Sequence, residues 1–367
     1  VKTPWIGKDK LEESLERNEA FWNGNLENGP LMWITVPEAK PGTPPPEPED
    51  EEKIWTDVDY YVKAAEDRLA RTHYAGSALP VCHPWLGPDQ VSAWLGAEMT
   101  ILPKDFTSWI KPFVDDWSHF PELTIHPDNK WWKLYLQLLK RCAEAGRDKW
   151  ITAYPDLHTG IDGLGAIRGP ENLMMDMLTE PETIHRAMGQ MIDLWKSLVD
   201  TVSDIILPYG QGTSNWTMGY SSKRFLCIGQ NDFSCLISPE MFEEFCWQDN
   251  VVCSSYVDHT IYHLDGPDAL RHLPKLLEIE NLDCIQWVQG AGNPLPSQWI
   301  DMLNQIQEAG KSVQVLYVPN HGGDADLSEE LDVLCQKLNR NRLFFWAVLD
   351  SVEQAEALAK QAHGYHR

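Results

Sequence analysis

Eight short apolar runs, spaced along the chain and separated by helical patterns, constrain this sequence more than any other feature. They are "PLMWITVPE" (30–38), "SALPVCH" (77–83), "WITAYPDLH" (150–158), "FLCIGQND" (225–232), "TIYHLDG" (260–266), "CIQWVQG" (284–290), "SVQVLYVP" (312–319) and "LFFWAVLD" (343–350). Their near-continuous hydrophobicity suits strands buried on both faces of a parallel sheet. Between them lie helical segments. Residues 180–206 carry Ile184, Met188, Met191, Trp195, Leu198 and Val202 on one face, and Thr179 with Glu182 resembles a capping box. "SPEMFEEFCWQ" places Ser238 at an N-cap and Pro239 at the first helical position, and "PSQWIDMLNQIQEAGK" stops at Gly310. Eight strands alternating with helices predict an α/β fold, a (β/α)8 TIM barrel. The first 25 residues predict a helical extension before it. The expectation is a single domain over residues 1–367, with the acidic, proline-rich stretch 39–53 as a solvated loop.

The strand candidates begin apolar and end in polar side chains. The ends carry His83; Asp156 and His158; Gln230 and Asp232; His263 and Asp265; Gln286 and Gln289; Asn320 and His321; and Asp350. In a barrel these ends share the face that bears active sites. His263 and Asp265 are two apart, so on a strand both leave the same face. Asp156 and His158 repeat that spacing. Such pairs suit a divalent metal with nitrogen and oxygen ligands, a general acid or base with its orienting partner, or a hydrogen-bond network that fixes loops. The metal candidates are His263, Asp265 and His321. The catalytic candidates are His263, Asp265, Asp156 and His158. Asp232, Gln230, His83, Trp216, Trp287 and Arg168 are the substrate-binding candidates. The tryptophans would wall a pocket, and the Arg168 guanidinium would clamp a carboxylate or phosphate unless it caps a helix.

Other chemistries find little support. No GxGxxG, GxxxxGK[ST] or GxSxG is present. Cys82 and His83 are adjacent, so on a strand they face opposite ways and form no dyad. The eight cysteines contain no CxxC pair, and reduced, partly buried thiols in a cytoplasmic protein are expected. A net charge of −25 argues against nucleic acid and anionic membrane as partners. No apolar run reaches the length needed to cross a bilayer.

Several stretches together resemble the uroporphyrinogen decarboxylase superfamily, in its methyltransferase-like branch related to corrinoid-dependent enzymes. They are "LGPDQVSAWLGAE" (86–98), "YPDLHTGIDGLGAIRGPENLMMDML" (154–178), "QNDFSCLISPEMFEEF" (230–245), "YHLDGPDALRHLPKLLEIENLDCIQWVQGAG" (262–292) and "EAGKSVQV" (308–315). The resemblance implies a (β/α)8 barrel with its site at the C-terminal mouth. "GPLMWITVPEAK" lacks the arginines that grip porphyrinogen carboxylates, which argues against uroporphyrinogen decarboxylation. The superfamily's zinc methyltransferases carry His-x-Cys where this chain has His263-x-Asp265, and "FFWAVLDS" lacks their second cysteine. The resemblance therefore implies a harder His/Asp site for zinc or another divalent ion, or a site without metal. The leading expectation is a methyltransferase-like enzyme that moves a methyl group between a small methylated substrate and a corrinoid protein. The alternatives are a lyase or hydrolase acting on a polar sugar or carboxylic acid, and a non-catalytic small-molecule binding protein.

Overall fold

The computed structural model describes residues 5–119, 122–229, 231–319 and 325–365. It contains eleven strands: β1 (Leu31–Val36), β2 (His73–Gly76), β3 (Val81–Cys82), β4 (Glu98–Leu102), β5 (Thr107–Lys111), β6 (Ile151–Thr152), β7 (Phe225–Ile228), β8 (His259–Asp265), β9 (Cys284–Val288), β10 (Ser312–Tyr317) and β11 (Leu343–Val348). Each of the eight expected runs contains one of them. The architecture is mixed α/β, with β1, β11, β10, β9, β8 and β7 forming a continuous parallel ladder in that order.

The ladder differs from an unbroken eight-strand barrel. Among the described residues, β3 and β6 pair only with each other, in parallel, as two-residue strands. Pro80, Pro84 and Pro155 flank them, and proline removes the amide donor a central strand needs. Beyond β6 the chain continues irregularly, and Tyr154 N donates to Ser214 O across the gap before β7. On the other side, the free edge of β1 is taken by antiparallel β2, which the hydrophobic pattern did not signal. Gly76 ends β2 at φ +60, where a Cβ would lie 2.7 Å from the Met32 carbonyl oxygen. That close approach lets the chain turn away toward β3. β4 and β5 form a separate antiparallel hairpin whose turn residue, Phe106, is 79% exposed.

The helices pack around the ladder. Helix Leu11–Trp22 supplies the N-terminal extension. Helix Pro181–Ile206 matches the periodic stretch, but its capping box does not form: Glu180 occupies the N-cap, and Thr179 Oγ1 donates back to Met175 O. Ser238 does cap helix Pro239–Phe245, accepting from Met241 N. The 3-10 turn Pro296–Trp299 leads into helix Ile300–Glu308, and Gly310 follows at φ +82. The core accounts for many of the tryptophans, with Trp33, Trp94, Trp150 and Trp287 fully buried. All eight cysteines are unpaired. Among the described residues, no helix is long and apolar enough to cross a membrane.

Phe344 on β11 is fully buried, with the Phe21 ring centroid 5.6 Å away and Trp33 at 6.2 Å. It joins the N-terminal helix to the ladder. Phe344→Ala is expected to lower unfolding free energy by roughly 3–5 kcal/mol, through lost burial and the cavity it leaves. Urea unfolding followed by circular dichroism checks this, with a shift in midpoint at constant slope.

Candidate functional site

The register of the ladder builds the floor of the site. His263 on β8 lies directly opposite Gln286 on β9, and Gln286 lies opposite Gln314 on β10. Residues abreast in adjacent strands point to the same face. Three polar side chains therefore form one row, and they are hydrogen-bonded. His263 Nδ1 is 2.5 Å from Gln286 Oε1. Gln286 Nε2 donates to Gln314 Oε1 at 2.5 Å, and Gln314 Nε2 donates to the Thr217 carbonyl at 2.8 Å.

This row has a direction. A backbone carbonyl only accepts, so it requires the amide nitrogen of Gln314. The Gln314 oxygen must then face Gln286, and the Gln286 oxygen must face His263. His263 Nδ1 therefore carries a proton, and Nε2 is the nitrogen left for chemistry or for a metal. Thr217 is itself held: Asn215 Oδ1 accepts from Thr217 N at 2.9 Å and from its hydroxyl at 2.7 Å. The same turn brings Trp216 edge-to-face against the His263 ring, with centroids 5.0 Å apart.

A second group converges from the other sheet piece. Asp162, in the first turn of helix Gly160–Arg168, accepts from Asp232 N and Phe233 N, each at 2.8 Å. One carboxylate thus ties the stretch after β6 to the stretch after β7 and fixes Asp232. Gly160 starts that helix at φ +64, where a Cβ would lie 2.5 Å from Asp249 Oδ2, so the close approach depends on glycine. His158 lies beside these groups, its Nδ1 3.9 Å from Asp89 Oδ1. Candidate ligand atoms of His158, Asp162 and Asp232 all lie within 4.8 Å of one another, as do those of Asp232, His263 and Asp265.

The electrostatics are dominated by acid. Burial works against a charge on His158, but Asp156, Asp89, Asp162 and Asp232 outweigh it and raise its pKa to about 10. Burial, reinforced by Asp232, pushes Asp162 up to about 7, against the pull of His158 and of the two amides. His83 behaves oppositely. Burial and the nearby Arg68 charge push it down to about 4, so it is neutral at physiological pH.

Several of these groups border a cavity of about 1080 Å3. Asp156, His158, Asp232 and His263 line one part, while Trp55, Trp85, Trp216, Tyr60 and Tyr61 supply aromatic surface. The exposed hairpin tip Phe106 also reaches it, as do Pro44, Pro45 and Glu47. The acidic stretch 39–53 therefore borders the cavity, a role its composition did not signal. A second groove of about 600 Å3 is bordered by helices Lys130–Gly146 and Pro181–Ile206. Its only ionisable lining groups among the described residues are Glu122 and Asp193, so it offers no acid–base pair.

Several expectations are resolved by position. His263, Asp156, His158, Asp232, Trp216 and His83 all border the cavity. Asp265 sits exposed at the strand end, beside His263 and Asp232 but outside the cavity lining. Trp287 is not a pocket wall. It neighbours Gln286 on β9, so it faces the opposite side, where it is fully buried against Trp299. Arg168 is not a ligand clamp: its guanidinium is committed to Asp176 at 2.6 Å and 3.2 Å and to the Val114 and Asp115 carbonyls. Gln230 and His321 lie outside the described residues. Asp162, Asp89 and Gln314 escaped the sequence reading. The four-residue spacing of His158 and Asp162 was a visible signal for the first of these. Nothing local signals Gln314, whose role depends on strand register.

No family model matches the chain, and no curated protein matches it. Among solved structures, a methyltransferase from Methanosarcina mazei is similar, with a TM-score of 0.61 over 96% of this chain and 99% of that one, at 11% sequence identity. The likeness shows a shared fold.

Two outcomes test this site. Arg168→Met is expected to destabilise the fold by about 2 kcal/mol, by leaving Asp176 with the Trp117 indole N–H but without its guanidinium partner, while leaving ligand binding in the cavity unchanged. Parallel thermal melts and binding isotherms check it. In metal-free protein, the His158 pKa lies above its ordinary value of 6.5, so its charge stabilises the fold fully below about pH 6.5. That contribution is lost as pH rises through about 10. His158 ring resonances in NMR should stay flat from about pH 6 to about pH 8, and Asp156→Asn should lower the midpoint.

Proposed function

We propose that this protein is a methyltransferase-like enzyme that moves a methyl group between a small methylated substrate and a corrinoid carried by a partner protein. On this reading the eight parallel strands act as one distorted barrel, with the cavity as its mouth. The observation that carries the proposal is His263. Its Nδ1 is committed to Gln286, and its ring lies among Asp232, Asp265 and Trp216 in a fold shared with a methyltransferase.

The chemistry follows from what methyl loss requires. A methyl group bound to oxygen or nitrogen leaves readily only if the atom left behind gains a proton or a Lewis acid. His263 Nε2 can hold that proton, because Gln286 keeps accepting from Nδ1 in both protonation states. Asp265 and Asp232 would steady the charged ring. Trp216 would orient the substrate and exclude water beside it. Asp156 and His158 would complete the polar surface that positions the substrate.

A divalent cation such as zinc suits the same place. The donors are one imidazole nitrogen with a directed lone pair and two carboxylates, an oxygen-rich set in place of a thiolate site. The ion would be held by His263, Asp265 and Asp232, and it would supply Lewis acidity to the leaving atom. The carboxylates on the floor also disfavour a porphyrinogen with several carboxylates of its own.

The test offers the purified protein a panel of O-methyl and N-methyl compounds with a reduced corrinoid protein. Methylated corrinoid, seen by its absorbance, and demethylated product are expected. His263→Ala should reduce turnover at least about 100-fold, with substrate affinity changed only a few-fold. Absence of methyl transfer across the panel overturns the proposal. Cleavage or dehydration of a sugar or acid without methyl transfer would replace it with lyase or hydrolase chemistry.

A further inference from the structure

We infer that Asp232 bridges two divalent cations, one held with His263 and Asp265 and a second held with His158 and Asp162. The inference rests on the metal position proposed above and adds a second position beside it. Two three-residue ligand sets lie side by side and share one carboxylate. A carboxylate has two oxygens and can give one to each ion, which is how paired metal sites are joined at a spacing of about 3.5–4 Å.

Three further observations support the pair. The first is orientation. The Gln286–Gln314–Thr217 row gives the His263 ring the tautomer a metal ligand needs, with the proton on Nδ1 and the lone pair on Nε2. The second is on the other imidazole. His158 Nε2 is enclosed and makes no hydrogen bond among the described residues, so a donor atom is presented without a partner. An enclosed polar nitrogen left without one is costly.

The third is charge. Neither Asp162 nor Asp232 pairs with a lysine or arginine among the described residues. Asp156, buried and close enough to act on His158, adds another carboxylate to Asp162, Asp232 and Asp265. Two divalent ions offset far more of this negative charge than one does. Like charges crowded this closely repel one another, which favours the doubly occupied state. A pair of divalent ions would also accept an anionic oxygen, such as an alkoxide, phenolate or carboxylate, that the bare floor would repel. The ligand set, imidazole with carboxylates, suits zinc or manganese more than a thiol-seeking metal.

The experiment titrates metal-free protein with Mn2+ and, separately, with Zn2+, by calorimetry and by metal analysis after dialysis. Two ions per chain are expected. The Mn2+ form should show exchange-coupled electron paramagnetic resonance, as ions sharing a carboxylate do. His158→Gln and His263→Gln should each retain one ion and lose the coupling, while Asp232→Asn should weaken both positions. Binding of one ion by the wild type, lost in His263→Gln and unchanged in His158→Gln, overturns this inference and leaves the proposed function standing. Two uncoupled ions, or two ions retained in His158→Gln, also overturn it. No bound ion removes both metal positions and leaves proton transfer by His263 to be judged by the turnover assay.

Discussion

The register between β8, β9 and β10 is the constraint on which the site depends. It sets His263, Gln286 and Gln314 abreast, and their amides then read outward from a backbone carbonyl that can only accept. A slip of one residue would turn His263 away from the cavity, take Gln286 and Gln314 out of its row, and put their buried apolar neighbours in their places. The strand register that secures the ladder therefore also secures the tautomer of one imidazole. Fold energetics and site chemistry share the same hydrogen-bonded framework.

Asp162 does comparable work on the other side. By accepting from two consecutive amides, it joins chain segments that follow different strands and holds Asp232 between His158 and His263. The result is a floor with more carboxylate than the nearby imidazoles can neutralise. Such a floor attracts a positive charge, and protons, metal ions and cationic substrate atoms compete to supply it. The aromatic surface beyond it offers stacking and water exclusion, so the cavity combines an acidic end with an apolar wall.

Much of the fold was legible in the chain. Each expected strand run contains a strand, because long apolar stretches bounded by turns have few other buried destinations. Ser238 and Gly310 marked helix ends correctly through local hydrogen bonding and backbone freedom. The misreadings have equally specific causes. Prolines at 80, 84 and 155 shortened two strands and interrupted the ladder. Trp287 and Gln286 exchanged their expected importance because adjacent residues on a strand face opposite sides. Arg168 found an internal carboxylate, Asp176, that was already visible eight residues along.

The sequence by itself determined the alternation of strands and helices, the polar strand ends, and the shared face of His263 and Asp265. These follow from local periodicity, since a strand alternates its side chains wherever it sits. Only the tertiary structure decided which strand ends meet. It brought Asp162 to Asp232, Trp216 to His263 and the 39–53 stretch to the cavity. It also gave the His263 ring its direction through Gln314. These are contacts between segments far apart in the chain, and their geometry depends on packing and register, which no local pattern encodes.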